Sequence, residues 1–135
     1  MPSENSVIEK KSIDELLKQG TYLPNRTPEM GFNGGTKGVF STVSPYRNGA
    51  IFVGHYSGSS EWERHPTGDE IVMSIEGSTT VVLLVDDDEQ RIQLHAGELV
   101  VVPEGVWHRF EGSMQLKVMS VTPQPTEHSL DRPAV

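Results

Sequence analysis

The sequence predicts an all-β fold, a sandwich, jelly roll or barrel, from three observations. Short segments rich in β-branched and aromatic residues recur at regular spacing between residues 39 and 121. The 13 glycines and 9 prolines supply many turns between these segments. No helical pattern alternates with them, which argues against a parallel α/β sheet. A chain of 135 residues is long enough for one domain and too short for two.

The N-terminal part of the chain predicts a short helix followed by an arm. Ser12 and Glu15 have the spacing of a capping box, in which each side chain can bond to the backbone N–H of the other residue. Gly20 would end this helix shortly after Lys18. Residues 21–35 are rich in Pro, Asn and Gly and are therefore predicted to form a loop or an extended arm.

The segments after the arm predict the strands of the barrel. Turn residues at 45–49 and an acidic stretch at 86–89 separate neighbouring strands. The predicted strands are 39–43, 50–57, 70–77, 79–85, 91–95, 99–102, 107–111 and 115–121. The predicted organisation is a helix and arm at 1–37, a barrel at 38–122 and a polar, Pro-rich tail at 123–135 that wraps the surface or stays loose.

The composition excludes several classes of function. A formal net charge of -8 disfavours binding to nucleic acid or to anionic membrane surfaces. The absence of cysteine excludes disulfides, thiolate zinc sites and cysteine nucleophiles. The chain has no apolar run of membrane-spanning length, and its first residues do not have the pattern of a signal peptide. We therefore expect a cytoplasmic protein.

The first segment with residues suited to chemistry is 61–77. Alternation along a strand places Glu61, Glu63 and His65 on one face, and Glu70 opens the apolar strand that follows. An inward His or Glu in a small barrel is costly unless it is paired or bound to a cation. Taken singly, such residues are more often hydrogen-bonded or solvated, so this segment alone does not establish a site.

The second segment is 97–111. A Pro-x-Gly turn at 103–105 interrupts the apolar pattern, and His108 begins the next strand. Combined with His65 and Glu70, this residue would supply two imidazoles and one carboxylate. Such a set can hold a divalent metal and leave coordination positions open for water or a substrate.

The two segments together resemble the motifs of the cupin superfamily. The first motif has two ligands separated by one residue, then four residues and a Glu, then six residues and a Gly; it is matched by Glu63, His65, Glu70 and Gly77. The second motif has a Gly, five residues, Pro-x-Gly, two residues and a His; it is matched from Gly97 to His108. The resemblance covers about residues 38 to 122.

The resemblance implies a double-stranded β-helix, or jelly-roll, cupin barrel that holds a divalent metal through Glu63, His65, Glu70 and His108. These ligand types suit Mn, Fe, Co, Ni or Zn and do not choose among them. The family motif usually begins with His where this chain has Glu63. Three interpretations therefore stay open: Glu63 is a ligand, or it stands off the metal as a hydrogen-bond acceptor for a ligand or as a catalytic general base, or its side chain points outward.

The resemblance further implies a function of one of two kinds. The first is a metal-dependent enzyme, of oxygenase, isomerase or lyase type, that acts on a small polar molecule such as a sugar or keto-acid. The second is a non-catalytic module that binds or carries a small molecule. A homodimer is expected in either case, because association would cover sheet edges, with the arm as an interface element. The sequence assigns no function to His95 or His128.

Overall fold

The computed structural model describes residues 8–134 and shows an all-β architecture, which confirms the predicted jelly-roll fold. Within this range lie nine strands and two short helices. They are α1 (Ile13–Gln19), β1 (Leu23–Arg26), α2 (Met30–Asn33), β2 (Phe40–Tyr46), β3 (Gly49–Gly58), β4 (Trp62–Arg64), β5 (Glu70–Val85), β6 (Asp88–Leu94), β7 (Leu99–Val102), β8 (His108–Pro123) and β9 (Glu127–Ser129). No helix in the described residues is long and apolar enough to cross a membrane.

Two long antiparallel strands, β5 and β8, organise the sheet. The first part of β5 pairs with β7, and its second part pairs with β6. Strand β8 also pairs with β3 and with β4, and β2 adds to the far edge of β3. The two long strands therefore take part in both halves of the fold, as the wrapped sheet of a jelly roll requires.

Each long strand replaces two strands that the sequence predicts separately. Segments 70–77 and 79–85 are continuous in β5, and segments 107–111 and 115–121 are continuous in β8. The pairing register of β5 with β8 shifts near Gly77, which has a φ of 76° and no room for a side chain against the backbone of Gln115. This glycine bends the strand instead of ending it, because a bulge lets the sheet change direction without a turn.

The N-terminal helix forms as predicted. The Oγ atom of Ser12 accepts a hydrogen bond from the backbone N–H of Glu15 at 3.2 Å, which satisfies one of the free donors of the first turn. The helix ends at Gln19, and the backbone N–H of Gly20 donates to the carbonyl of Leu16 at 3.2 Å. Local sequence alone explains this element.

The segment 21–35, predicted as loop or arm, contains a strand and a short helix. Strand β1 runs parallel to β3, with Leu23 opposite Tyr56 and Arg26 opposite Gly58. The sequence of β1 is LPNR, which has no strand pattern of its own. Pairing with β3 creates the strand, so this element depends on tertiary structure.

The tail is attached to the barrel by a short strand. Strand β9 pairs antiparallel with β4, with Glu63 opposite His128. Nε of Arg64 donates to the carboxylate of Glu127 at 2.7 Å across the same pair of strands. This pairing brings residues of the tail next to β4, the strand that carries Glu63.

The apolar core fills the interior around the two long strands. Its main cluster of buried side chains comprises Val39, Tyr56, Val72, Val81, Leu83, Leu94, Val102, Leu116 and Val118. A second cluster, formed by Trp62, Val82 and Leu84, covers the opposite face of β5. The VVLL run is therefore buried on both faces, which explains why its sequence does not alternate.

Candidate metal centre

Three strands position the residues of the two sequence motifs. His65 directly follows β4, Glu70 begins β5, and His108 begins β8. The loops beside them are joined by two hydrogen bonds. The backbone N–H of Gly105 donates to the carbonyl of His65 at 3.0 Å, and the backbone N–H of Glu104 donates to Oδ1 of Asp69 at 2.7 Å. These bonds hold the two motifs side by side.

The ligand atoms of His65, Glu70 and His108 converge in the interior. Glu70 Oε1 lies 3.3 Å from His65 Nε2 and 3.0 Å from His108 Nε2. All three side chains are at least nine-tenths buried, and none of these three atoms forms a hydrogen bond of suitable geometry with any residue in the range 8–134. Buried polar atoms are normally partnered. Two imidazole nitrogens and one carboxylate oxygen without partners fit a divalent cation bound among them.

Outer contacts orient each ligand atom of the group. His108 Nδ1 donates to the carbonyl of Val106 at 3.0 Å, which leaves Nε2 with its lone pair. Thr126 Oγ1 lies 3.0 Å from His65 Nδ1; because it donates to Gln124 Oε1, it accepts from the imidazole. Thr122 Oγ1 donates to Glu70 Oε2 at 2.6 Å, which leaves Oε1 for the interior. Such partners fix the tautomer and direction of metal ligands.

Charges within the group compensate one another. Burial alone would raise the pKa of Glu70, but the two neighbouring imidazoles outweigh it and lower this pKa to about 2. Burial would lower the pKa of His108, but the carboxylate of Glu70 outweighs it and raises this pKa. His65 and His108 would hold a cation in their neutral forms and Glu70 as a carboxylate, because metal ligands must be deprotonated.

Glu63 belongs to a second group of potential ligands, with Glu61 and His128. Its carboxylate is 21% exposed and lines a cavity, so it does not point outward. Burial, and then the nearby carboxylates of Glu61 and Glu70, raise the pKa of Glu63. The structure brings together three of the four predicted ligands and places Glu63 beside them. Coordination by Glu63 stays a prediction.

The second group includes residues that sequence reasoning missed. The Glu61 carboxylate is 2% exposed; its Oε1 accepts from Arg26 Nη2 at 3.1 Å, and its Oε2 lies 3.0 Å from His128 Nδ1. Strand alternation does place Glu61 on the face of Glu63, so a signal for this residue existed. No local pattern marks Arg26 or His128, because each reaches the site through strand pairing of β1 or β9.

A cavity of about 340 Å³ adjoins both groups. This volume lies in the range of small-molecule sites. Part of its lining is apolar, from Phe40, Phe52, Tyr56, Phe110 and Val118. The other part is polar, from Arg26, Glu63, Glu70, Thr122, Thr126 and His128. One space therefore reaches the candidate ligand Glu70 and the second carboxylate Glu63.

Comparison with known proteins identifies the family. The profile described as "Cupin domain" matches residues 52–122, more than half of the chain. The chain belongs to the cupin family. A solved cupin-2 domain protein of Shewanella frigidimarina is similar at 26% identity with a TM-score of 0.54, covering 63% of this chain and 79% of that one. A cupin superfamily protein of Desulfitobacterium hafniense has a TM-score of 0.55 at 18% identity, covering 63% and 75%.

Two curated proteins are similar over a shorter region. An acireductone dioxygenase of Sulfurihydrogenibium is 36% identical over 59 residues, which cover 44% of this cupin and 33% of the dioxygenase. An uncharacterised protein of Bacillus subtilis is 34% identical over 61 residues, which cover 44% of this cupin and 47% of that protein. The match spans less than half the length of either relative.

Proposed function

We propose that this cupin is a metal-dependent enzyme that acts on a small polar molecule. His65, Glu70 and His108 would hold a divalent ion, and Glu63 would act as the acid–base residue. The observation that carries the proposal is the convergence of three buried, unpartnered ligand atoms beside a cavity that Glu63 also lines. Among oxygenase, isomerase and lyase chemistry, the acireductone dioxygenase relative favours an oxygenase.

The bound ion and the residues of the site would have different functions in the reaction. A bound divalent ion supplies Lewis-acid polarisation of a substrate oxygen. Thr122 and Thr126 keep Glu70 and His65 in their orientations. Glu63 lines the same cavity, and burial raises the pKa of its carboxyl group, which would give or take a proton there.

The variant Glu63→Gln tests the function and the assignment of this residue. We expect it to keep its metal and to lose turnover by about 10²- to 10⁴-fold, the usual contribution of a general acid or base. Metal per chain is measured by elemental mass spectrometry. Turnover is measured by oxygen uptake and product chromatography, after reconstitution with Mn, Fe, Co, Ni or Zn, over a panel of small polar acids, ketones and sugars.

The control for this experiment is Glu76→Gln, which alters a carboxylate that is 63% exposed on the same long strand that Glu70 begins. It should match the wild type in both measurements. Loss of metal in Glu63→Gln would instead make Glu63 a ligand, and undiminished turnover would contradict its acid–base assignment. Absence of turnover in every metal-loaded form of the wild type would contradict the proposal that this cupin is an enzyme.

Thr122→Val is expected to weaken metal binding by about 10- to 100-fold, the usual cost of removing an outer partner of a metal ligand. The substitution keeps the shape of the side chain but removes the 2.6 Å hydrogen bond to Glu70 Oε2. Affinity is measured by competition with a chelating dye. The control is Thr42→Val on β2, where the side chain is exposed; equal affinities in the two variants would show that Thr122 does not orient Glu70.

A non-catalytic cupin that binds or carries a small molecule is the second candidate. Glu63 favours it, because this residue stands where the family motif usually has His. Binding of a ligand without any turnover would support it over the enzyme. The homodimer and the cytoplasmic location also remain proposals; exposed apolar residues on β5 and β7, Ile71, Leu99 and Val101, support the dimer.

A further inference from the structure

Arg26 carries a guanidinium group that the protein only partly satisfies. Its side chain is 5% exposed. Among residues 8–134, its side chain makes one hydrogen bond, from Nη2 to Glu61 Oε1 at 3.1 Å, and its Nε atom has no partner. A guanidinium has five N–H donors, and buried donors normally find acceptors. Most N–H donors of Arg26 therefore make no hydrogen bond within the described residues.

The position of Arg26 is fixed by the backbone. Residue 26 lies opposite Gly58 in the parallel pairing of β1 with β3, and its carbonyl accepts from the N–H of Ser59 at 2.9 Å. Gly58 has a φ of 110°, and a side chain there would meet the backbone of Arg26. Close backbone approach is a common reason for a glycine in a strand. Arg26 lies outside the region 52–122 that matches the family profile.

The carboxylates of Glu61 and Glu63 both approach the Nη2 atom of Arg26. Glu61 Oε1 lies 3.1 Å and Glu63 Oε1 lies 4.0 Å from Nη2. Glu61 is also engaged at its other oxygen by His128. Within the described range 8–134, the buried Nε atom of the guanidinium is thus left without an acceptor, although Arg26 lines the cavity.

Tyr56 offers a second unsatisfied donor in the same lining. Its side chain is 1% exposed, its hydroxyl has no hydrogen-bond partner in the part of the chain that the structure describes, and the guanidinium carbon of Arg26 lies 4.6 Å from its ring centroid. The same carbon lies 5.2 Å from the ring centroid of Phe40. The arginine therefore sits among aromatic rings, where water competes weakly for its donors.

We propose that this cavity binds a small carboxylic acid, with the carboxylate at Arg26 and Tyr56 and with an apolar or aromatic body against Phe40, Phe52 and Phe110. The fork of an arginine fits a planar carboxylate with two parallel hydrogen bonds. The apolar rings suit a ligand whose remaining part has few hydroxyl groups. The inference deepens the proposed function, because it names the substrate class of the same cavity.

The test compares acids with their neutral amides by isothermal titration calorimetry. The probes are benzoate, phenylacetate and hexanoate, each beside its amide, with the protein as purified. We expect at least one acid to bind at least about 10-fold more tightly than its amide, since charge-assisted hydrogen bonds are the strong ones. In Arg26→Lys, this preference should disappear while amide binding is unchanged.

Two further variants make the result decisive. Tyr56→Phe keeps the ring and removes only the hydroxyl, so it should weaken acid binding several-fold even if Arg26→Lys folds poorly. Arg64→Lys is the matched control, because Arg64 also lies over an aromatic ring, that of Trp107, but does not line the cavity. It should bind like the wild type. The melting temperature and metal content of each variant are recorded alongside.

Three outcomes would overturn the inference: no acid binds, acids and amides bind equally, or neither Arg26→Lys nor Tyr56→Phe weakens acid binding. In these cases Arg26 serves only to attach β1 to Glu61. The readout involves no turnover, so the two proposals fail separately. If the protein binds metal but does not prefer acids to amides, only the present inference is contradicted. If it binds acids but no metal, only the proposal of a metal-dependent enzyme is contradicted.

Discussion

His108→Ala is expected to reduce bound divalent metal from near one ion per chain to less than about a tenth of that. The physical reason is that Nε2 of His108 is one of three buried atoms that converge without other partners among the residues that the structure describes. Loss of an outer partner already costs about 10- to 100-fold in affinity, and loss of a direct ligand should cost more. Elemental mass spectrometry after reconstitution with each candidate metal gives the measurement.

The same variant should lose the stabilisation that metal provides. An ion present at 100 times its dissociation constant stabilises the folded protein by about 2.7 kcal/mol through mass action. A chelator should therefore lower the melting temperature of the wild type and leave that of His108→Ala unchanged. The control is His95→Ala, because the side chain of His95 is 66% exposed and contacts Glu98, which is 58% exposed. A His108→Ala protein that keeps its ion would remove this residue from the site.

Leu116→Ala is expected to lower the free energy of unfolding by about 2–5 kcal/mol. Leu116 is 0% exposed in the main core cluster, and it lies opposite Tyr56 in the pairing of β8 with β3. The substitution removes buried apolar area and leaves a cavity that the rigid sheet fills only in part. Urea unfolding followed by circular dichroism measures the change.

Met114→Ala is the matched control for the core prediction. Met114 lies two residues away on the same strand, and 69% of its surface is exposed. Its replacement should change the free energy of unfolding by less than about 0.5 kcal/mol. Similar losses in both variants would mean that the strand itself, and not the burial of Leu116, determines the effect.

The candidate site divides into residues that local sequence marks and residues that it does not. His65, Glu70 and His108 stand at the positions that match the cupin motifs, so the resemblance of the sequence to that family predicts them together. Arg26 and His128 lie in segments with a loop-like composition. Their partner Glu61 is 35 residues from one and 67 residues from the other, and no local pattern encodes such separations.

The boundaries of the long strands also depend on more than local sequence. Glycine is typical of turns, so the sequence predicts a strand end at Gly77 and at Gly112. It therefore predicts four strands where the structure has the two long strands β5 and β8. Both glycines have positive φ values, 76° and 60°, and both stay within continuous strands. A glycine can serve a bend or a turn equally well, and only the partner strand decides between them.

Local sequence predicts the all-β class and the capped N-terminal helix, because both rest on propensity and periodicity within a few residues, and the two motifs follow from their resemblance to those of the cupin superfamily. The tertiary structure decided which side chains share the cavity. The parallel pairing of β1 with β3 brings in Arg26, and the pairing of β9 with β4 brings in His128. Contacts of this kind come from the closure of the sheet, a property of the whole chain and not of any segment.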